Sequence, residues 1–202
     1  MLTVAIGTEY DDYDGEVYRV LLEGCLGQPV TRWQTTMRFN GDRSVRKLAK
    51  PYLAEAAKAG VQHALFAIDN DGGGKRRPEH EDTHEQTTQA ADEKDGCRVC
   101  WLLQSLPDSW TADGRKRCVV VPVQTLETWL LCLRGSPPFT TATPEHQHQR
   151  RVLKKCFFGD TLPPVDVRLK LALAEVRRPD ALSTLRQRRS FRHFEAQLAS
   201  WP

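Results

Sequence analysis

The run Ala64–Gly74, ALFAIDNDGGG, ends an apolar stretch in two carboxylates one residue apart, Asp69 and Asp71, followed by three glycines. In an extended segment residues i and i+2 point the same way, so both carboxylates can face one cation. Mg²⁺ takes one or two carboxylates together with waters and phosphate oxygens. The glycines allow a sharp turn and a close backbone approach. The competing reading is an Asx-type turn, in which the acids bond only their own backbone. Acids also follow other apolar runs. Glu9 follows LTVAIG, with Asp11, Asp12, Asp14 and Glu16 close behind, and Glu127 lies in TLETW after VVVPVQ. Acids from neighbouring parallel strands converge, but strand order is not written in the sequence. Most of the Asp11–Glu16 group reads as acids favoured by a helix N-terminus. Glu127 reads equally well as a helix-surface residue.

A second constellation is His80-x3-His84 followed by Cys97-x2-Cys100. These are the ligand types and local spacings of a structural zinc site, in reversed order relative to a common finger. Zinc would supply folding free energy to a polar stretch that has no core of its own. The alternative is a reduced Cys pair at a helix start with two surface histidines. Cys25, Cys118, Cys132 and Cys156 lie in apolar contexts and read as core thiols.

These residues need elements to position them. The 202 residues suffice for one ordinary domain with a core. LTVAIG (Leu2 to Gly7) reads as a buried strand, and EVYRVLLEGCLG as a helix with Val17, Val20, Leu21 and Cys25 on one face. Val30 to Phe39 alternates as a second strand. A helix follows, with Ser44 as its cap and Pro51 as a kink or break. VQHALFAI reads as a strand buried on both faces. Strand and helix alternate, which predicts an α/β fold with a mainly parallel sheet flanked by helices. Residues 72–100 form a polar insertion without apolar periodicity. CRVCWLLQSL is helical, Arg117 to Gln124 is the last core strand, and TLETWLLCLRG is a helix after it. The expected α/β domain spans residues 1–135, and residues 136–202 form a basic helical extension.

The net charge of +3 selects no partner, but its distribution does. From Arg150 to Glu195, twelve Lys and Arg stand against five Asp and Glu. Such a surplus suits a polyanion, or else a solvated helical face. Arg150, Arg151, Lys154, Lys155, Arg186, Arg188, Arg189 and Arg192 are the candidate nucleic-acid contacts. Trp101, Trp110, Trp129 and Trp201 read as core. No signal peptide and no apolar run near the roughly 20 residues of a membrane span is visible, so a cytoplasmic protein without membrane contact is expected.

Glu9 after the first strand and Asp69-x-Asp71 after a later one, in a βαβ setting, resemble the Toprim superfamily. This is the fold shared by topoisomerases, bacterial primases and the overcoming-lysogenization-defect type of nuclease. VPVQTLETWLL, LKKCFFG and SFRHFEAQL are similar to stretches of small stand-alone Toprim-like proteins, many of them encoded beside ATPases in bacterial defence loci. The resemblance implies a Toprim-like (Rossmann-like) sheet and Mg²⁺- or Mn²⁺-dependent cleavage of nucleic acid. It places Asp69, Asp71 and Glu127 on the metal and Glu9 as ligand or general acid/base. It also implies an anti-phage or DNA-processing setting with an ATPase partner; the chain shows no Gly-x4-Gly-Lys-Ser/Thr loop, so any ATP dependence is expected to come from elsewhere. Glu9 follows Gly7-Thr8 and precedes Tyr10 rather than glycine, which leaves Asp11 and Asp12 as alternatives. A non-catalytic sensor or assembly subunit and a small-molecule phosphohydrolase are the other readings. Oligomeric state is not legible.

Overall fold

The computed structural model describes residues 1–10, 12–69, 98–122, 125–135 and 150–202. Four strands, β1 (Leu2–Thr8), β2 (Val30–Arg32), β3 (His63–Ala67) and β4 (Lys116–Val120), form one sheet in the order β2-β1-β3-β4. Every pairing is parallel. Parallel neighbours require crossovers, and the helices supply them: α1 (Asp14–Leu26) joins β1 to β2, and α2 (Asp42–Lys58) joins β2 to β3. The helices α3 (Arg98–Ser105) and α4 (Asp108–Ala112) precede β4, and α5 (Leu126–Arg134) follows it.

Strand alternation divides the core between the two faces of the sheet. Val4, Ile6, Leu65, Ala67, Cys118 and Val120 pack with α1 and α5, whereas Ala5, Ala64, Phe66 and Val119 pack with α2 and α3. Covered on both faces, the central strands are apolar over Val4–Ile6 and Ala64–Ala67, as buried parallel strands usually are. The first face also receives α6 (Arg150–Phe158), α7 (Val165–Val176), α8 (Ala181–Leu185) and α9 (Arg189–Gln197). Phe191 and Phe194 pack on Trp129 with ring centroids 5.2 and 6.3 Å away. The C-terminal helices therefore share one core with α1 and α5.

Several boundaries depart from the sequence expectation. The second strand ends at Arg32, because Trp33 and Phe39 turn onto Tyr52, with ring centroids 5.1 and 5.0 Å away. Burial of these rings against α2 outweighs their alternation. The cap of α2 is Gly41, at φ 79°, and Ser44 lies inside the helix. Pro51 is accommodated without ending that helix. Cys156 is exposed and Cys25 half-buried, so of the four presumed core thiols only Cys118 and Cys132 are buried. All four tryptophans named above are buried.

Candidate carboxylate site

The chain leaves β1 toward β2 on one side and returns to β3 on the other. The order therefore reverses at the carboxyl ends of β1 and β3, the kind of position at which ligands bind in open α/β sheets. Glu9 follows β1 and Asp69 follows β3 by two residues. The Asp69 N–H donates to Glu9 Oε1 at 2.9 Å, so the two acids meet at the reversal.

The neighbouring segments are pinned to them. Gly41 N–H donates to the Glu9 carbonyl at 3.0 Å, and Tyr10 bridges Asn40, which ties the loop before α2 to the acid loop. Tyr13 and Asp14 N–H groups both donate to the Tyr10 carbonyl, closing a turn that brings the start of α1 back toward Glu9. Gly15 leaves room there for the Arg32 side chain. A Cβ at that position would lie 2.7 Å from Arg32 Nη1, and Arg32 Nη2 reaches the Ile6 carbonyl at 3.3 Å. On the other side Asp69 Oδ1 accepts from Leu126 N–H at 3.2 Å. It thereby caps α5, which receives no side-chain cap from Thr125. Glu127, in the first turn of α5, is held at the same edge.

Four carboxylates are thus buried together: Glu9, Asp14, Asp69 and Glu127. Burial first, then Glu9, Asp14 and Glu127, pushes the Asp69 carboxyl well above the usual carboxylate range. Burial first, then Glu127, pushes Asp14 up to about 8, with Lys154 opposing. Lys154, from α6, offsets part of the charge; its Nζ lies 3.9 Å from Glu127 Oε1 and 5.4 Å from the centre of the Tyr10 ring. Buried polar atoms collect at the same edge. Thr8 Oγ1, Tyr13 Oη, Thr125 Oγ1 and Glu127 Oε2 have no hydrogen-bond partner among the described residues. Buried polar groups normally find partners, so such a concentration calls for an explanation in ligand or water. As the side chains stand, no three His, Cys, Asp or Glu among the described residues form a group that could hold a metal ion.

Of the expected site residues, the structure brings together Glu9, Asp69 and Glu127. Asp14, read from the sequence as a helix-terminus acid, joins them because the Tyr10–Tyr13 turn buries it. Asp14 stands five residues after Glu9 in the sequence, but no periodicity signals such a turn. Asp12 is exposed; Asp11 and Asp71 lie outside the described residues. Three of the expected zinc ligands, His80, His84 and Cys97, also lie outside them, and Cys100 is fully buried in α3.

The expected nucleic-acid contacts separate. Arg151, Arg189 and Arg192 are exposed. Lys155 is exposed and pairs with Asp160, and Arg186 forks onto Glu195 at 2.7 and 3.1 Å. Lys154 faces the acid cluster. Arg188 is buried, and its Nε donates to Cys132 Sγ at 3.1 Å, so its guanidinium is turned away from any phosphate at the surface. Of Arg150 only the backbone, at the start of α6, is described.

Comparison of the chain with protein-family models, with curated proteins and with solved structures finds no match.

Proposed function

We propose that the protein is a Toprim-like, Mg²⁺- or Mn²⁺-dependent enzyme that cleaves phosphodiesters in nucleic acid at this carboxylate cluster. The observation that carries the reading is the meeting of Glu9, Asp14, Asp69 and Glu127 at the reversal between β1 and β3, with unpartnered polar atoms around them. Structural acids at helix starts commonly face solvent; these are buried within reach of one another, Lys154 offsets only part of their charge, and a bound cation or protons would relieve the rest. The donor set fits a hard divalent ion. Carboxylate oxygens dominate it, and the orphaned Thr8 and Thr125 hydroxyls and Glu127 Oε2 suit the waters such an ion keeps. Glu9, Asp14, Asp69 and Glu127 would hold it, with Asp71 completing the Asp-x-Asp pair.

When bound, the ion neutralises charge on the phosphoryl oxygens and activates a water. The protein's own groups do the rest. Asp69 N–H holds the Glu9 carboxylate in place to move a proton. Leu126 N–H fixes the orientation of Asp69, and Lys154 tempers the negative field that would repel a polyanion. An ATPase partner and a zinc-stapled insertion belong to the same proposal and rest on the resemblance and on the His/Cys spacing.

The test is cleavage of plasmid, single-stranded DNA and RNA in Mg²⁺ or Mn²⁺, beside Asp69→Asn, which keeps an acceptor for Leu126 N–H. The expected loss is at least about a hundredfold, the upper end for residues around a metal site. Equal cleavage by both proteins refutes the assignment. A second reading, a non-catalytic Toprim-like subunit, is favoured by the absence among the described residues of three side chains grouped to hold an ion. A folded protein that cleaves none of the three substrates, whether or not it binds Mn²⁺, selects it.

A further inference from the structure

Tyr13 is 3% exposed, and its hydroxyl has no hydrogen-bond partner among the described residues. A buried hydroxyl left unpaired is destabilising, a cost that phenylalanine would avoid in the same space. Packing accounts for the ring, which meets Phe158 edge-to-face at 6.0 Å, but not for the oxygen. Tyr13 lies within the electrostatic reach of Glu127, Asp14 and Asp69.

A guanidinium lies over the same ring. Arg168 Cζ, from the first turn of α7, is 5.6 Å from the Tyr13 ring centre. Its Nε is buried without a partner among the described residues, and no carboxylate there pairs with it. Arg98 and Arg115 likewise have a buried Nε without a partner among the described residues, but each pairs with a carboxylate, Asp42 and Asp113, while Arg134 pairs with Glu175 and Arg188 donates to Cys132. Lys154 is drawn to Glu127. Arg168 is therefore a cation beside the acid cluster with its donors uncommitted. A planar guanidinium matches the geometry of phosphate oxygens.

We propose that Tyr13 Oη and the Arg168 guanidinium form a subsite for a non-bridging phosphate oxygen of the substrate, on the α7 side of the acid cluster. This rests on the phosphodiester reading above and deepens it: the phosphate beside the carboxylates is gripped between α7 and the turn that opens α1. It also gives the uncommitted hydroxyl and the uncommitted guanidinium one common ligand. Both residues are substrate-binding groups rather than metal ligands, so their loss leaves metal affinity in place.

Three measurements on the full chain test it: Mn²⁺ affinity by paramagnetic resonance, anisotropy of a labelled oligothymidylate in Ca²⁺, and thermal unfolding. Tyr13→Phe should keep or raise Tm, hold Mn²⁺ as the wild type does, and weaken oligonucleotide binding severalfold. Arg168→Gln should weaken that binding about tenfold and reduce its salt slope by about 0.7, the loss of one single-strand phosphate contact. Arg168→Lys should keep the slope while losing affinity, because it keeps the charge and loses the planar fork. Wild-type oligonucleotide affinity in both Tyr13→Phe and Arg168→Gln overturns the subsite and leaves the metal reading standing. A fall in Tm with unchanged binding in Tyr13→Phe makes the hydroxyl structural and overturns it too. A wild type that binds no Mn²⁺ overturns the parent reading, and the subsite with it.

Discussion

Asp14→Asn should make the metal-free protein more stable at alkaline pH and leave it unchanged near pH 4. Burial and Glu127 push the Asp14 carboxyl from the ordinary 3.8 up to about 8 in the folded chain. The folded state therefore holds a proton that the unfolded state releases, and stability falls as pH rises between those two values. The slope is about 1.4 kcal/mol per pH unit, so the loss from pH 4 to pH 7 is about 4 kcal/mol as a ceiling. Water reaching the cluster lowers that figure, but half of it would still be a large share of a marginal stability of about 5–15 kcal/mol. Asparagine stays neutral in both states and removes this slope. The assay is urea unfolding of both proteins in EDTA at half-unit steps from pH 4 to pH 9. The curves should meet at the acid end and separate progressively until about pH 8. Adding Mg²⁺ at pH 8 should then stabilise the wild type more than the variant, since a ligand that binds only the folded state raises its stability by mass action. Parallel curves across the whole range would refute the idea that Asp14 is held against the other acids.

Gly7→Ala should destabilise the protein by about 1–3 kcal/mol in urea unfolding, the usual cost of overpacking. The new Cβ would stand 2.7 Å from Phe66 Cε1 and 3.0 Å from Phe39 Cε2, both ring atoms buried in the core; an unchanged midpoint would contradict that packing. His63 sits at the other end of the sheet, its ring 4.9 Å from that of Trp201, and burial, then Lys116, holds its pKa below 6.5. The unfolded chain takes up a proton first, so stability should be lost as pH falls through 6.5 and below. His63→Gln should flatten that part of the profile in thermal melts, and an equal acid slope in both proteins would count against it.

Much of the architecture is written in local patterns. The apolar runs at Leu2–Gly7 and VQHALFAI, the 3.6-residue periodicity of α1 and the glycine after it follow from burial and backbone sterics, which act on residues close in sequence. Asp69 was legible as a candidate site acid at a strand end because its strand and its glycines are contiguous with it. The three-residue length of β2 was not, because it depends on Trp33 and Phe39 finding Tyr52 on α2.

The sequence by itself determined the alternation of strand and helix, the acids that follow the strands, and the basic surplus of the C-terminal part. Only the tertiary structure decided which acids meet. The order β2-β1-β3-β4 puts Glu9 beside Asp69, and the Tyr10–Tyr13 turn buries Asp14 with them. It also decided the fate of the arginines. Arg188 is buried on Cys132, while Arg168, which drew no notice in the sequence, lies over Tyr13 beside the acids. The physical reason is common to all of these. Charge and polarity are properties of single residues, whereas burial, repulsion and an unpaired donor belong to pairs that the chain brings together only when the sheet reverses direction and the C-terminal helices close over one face.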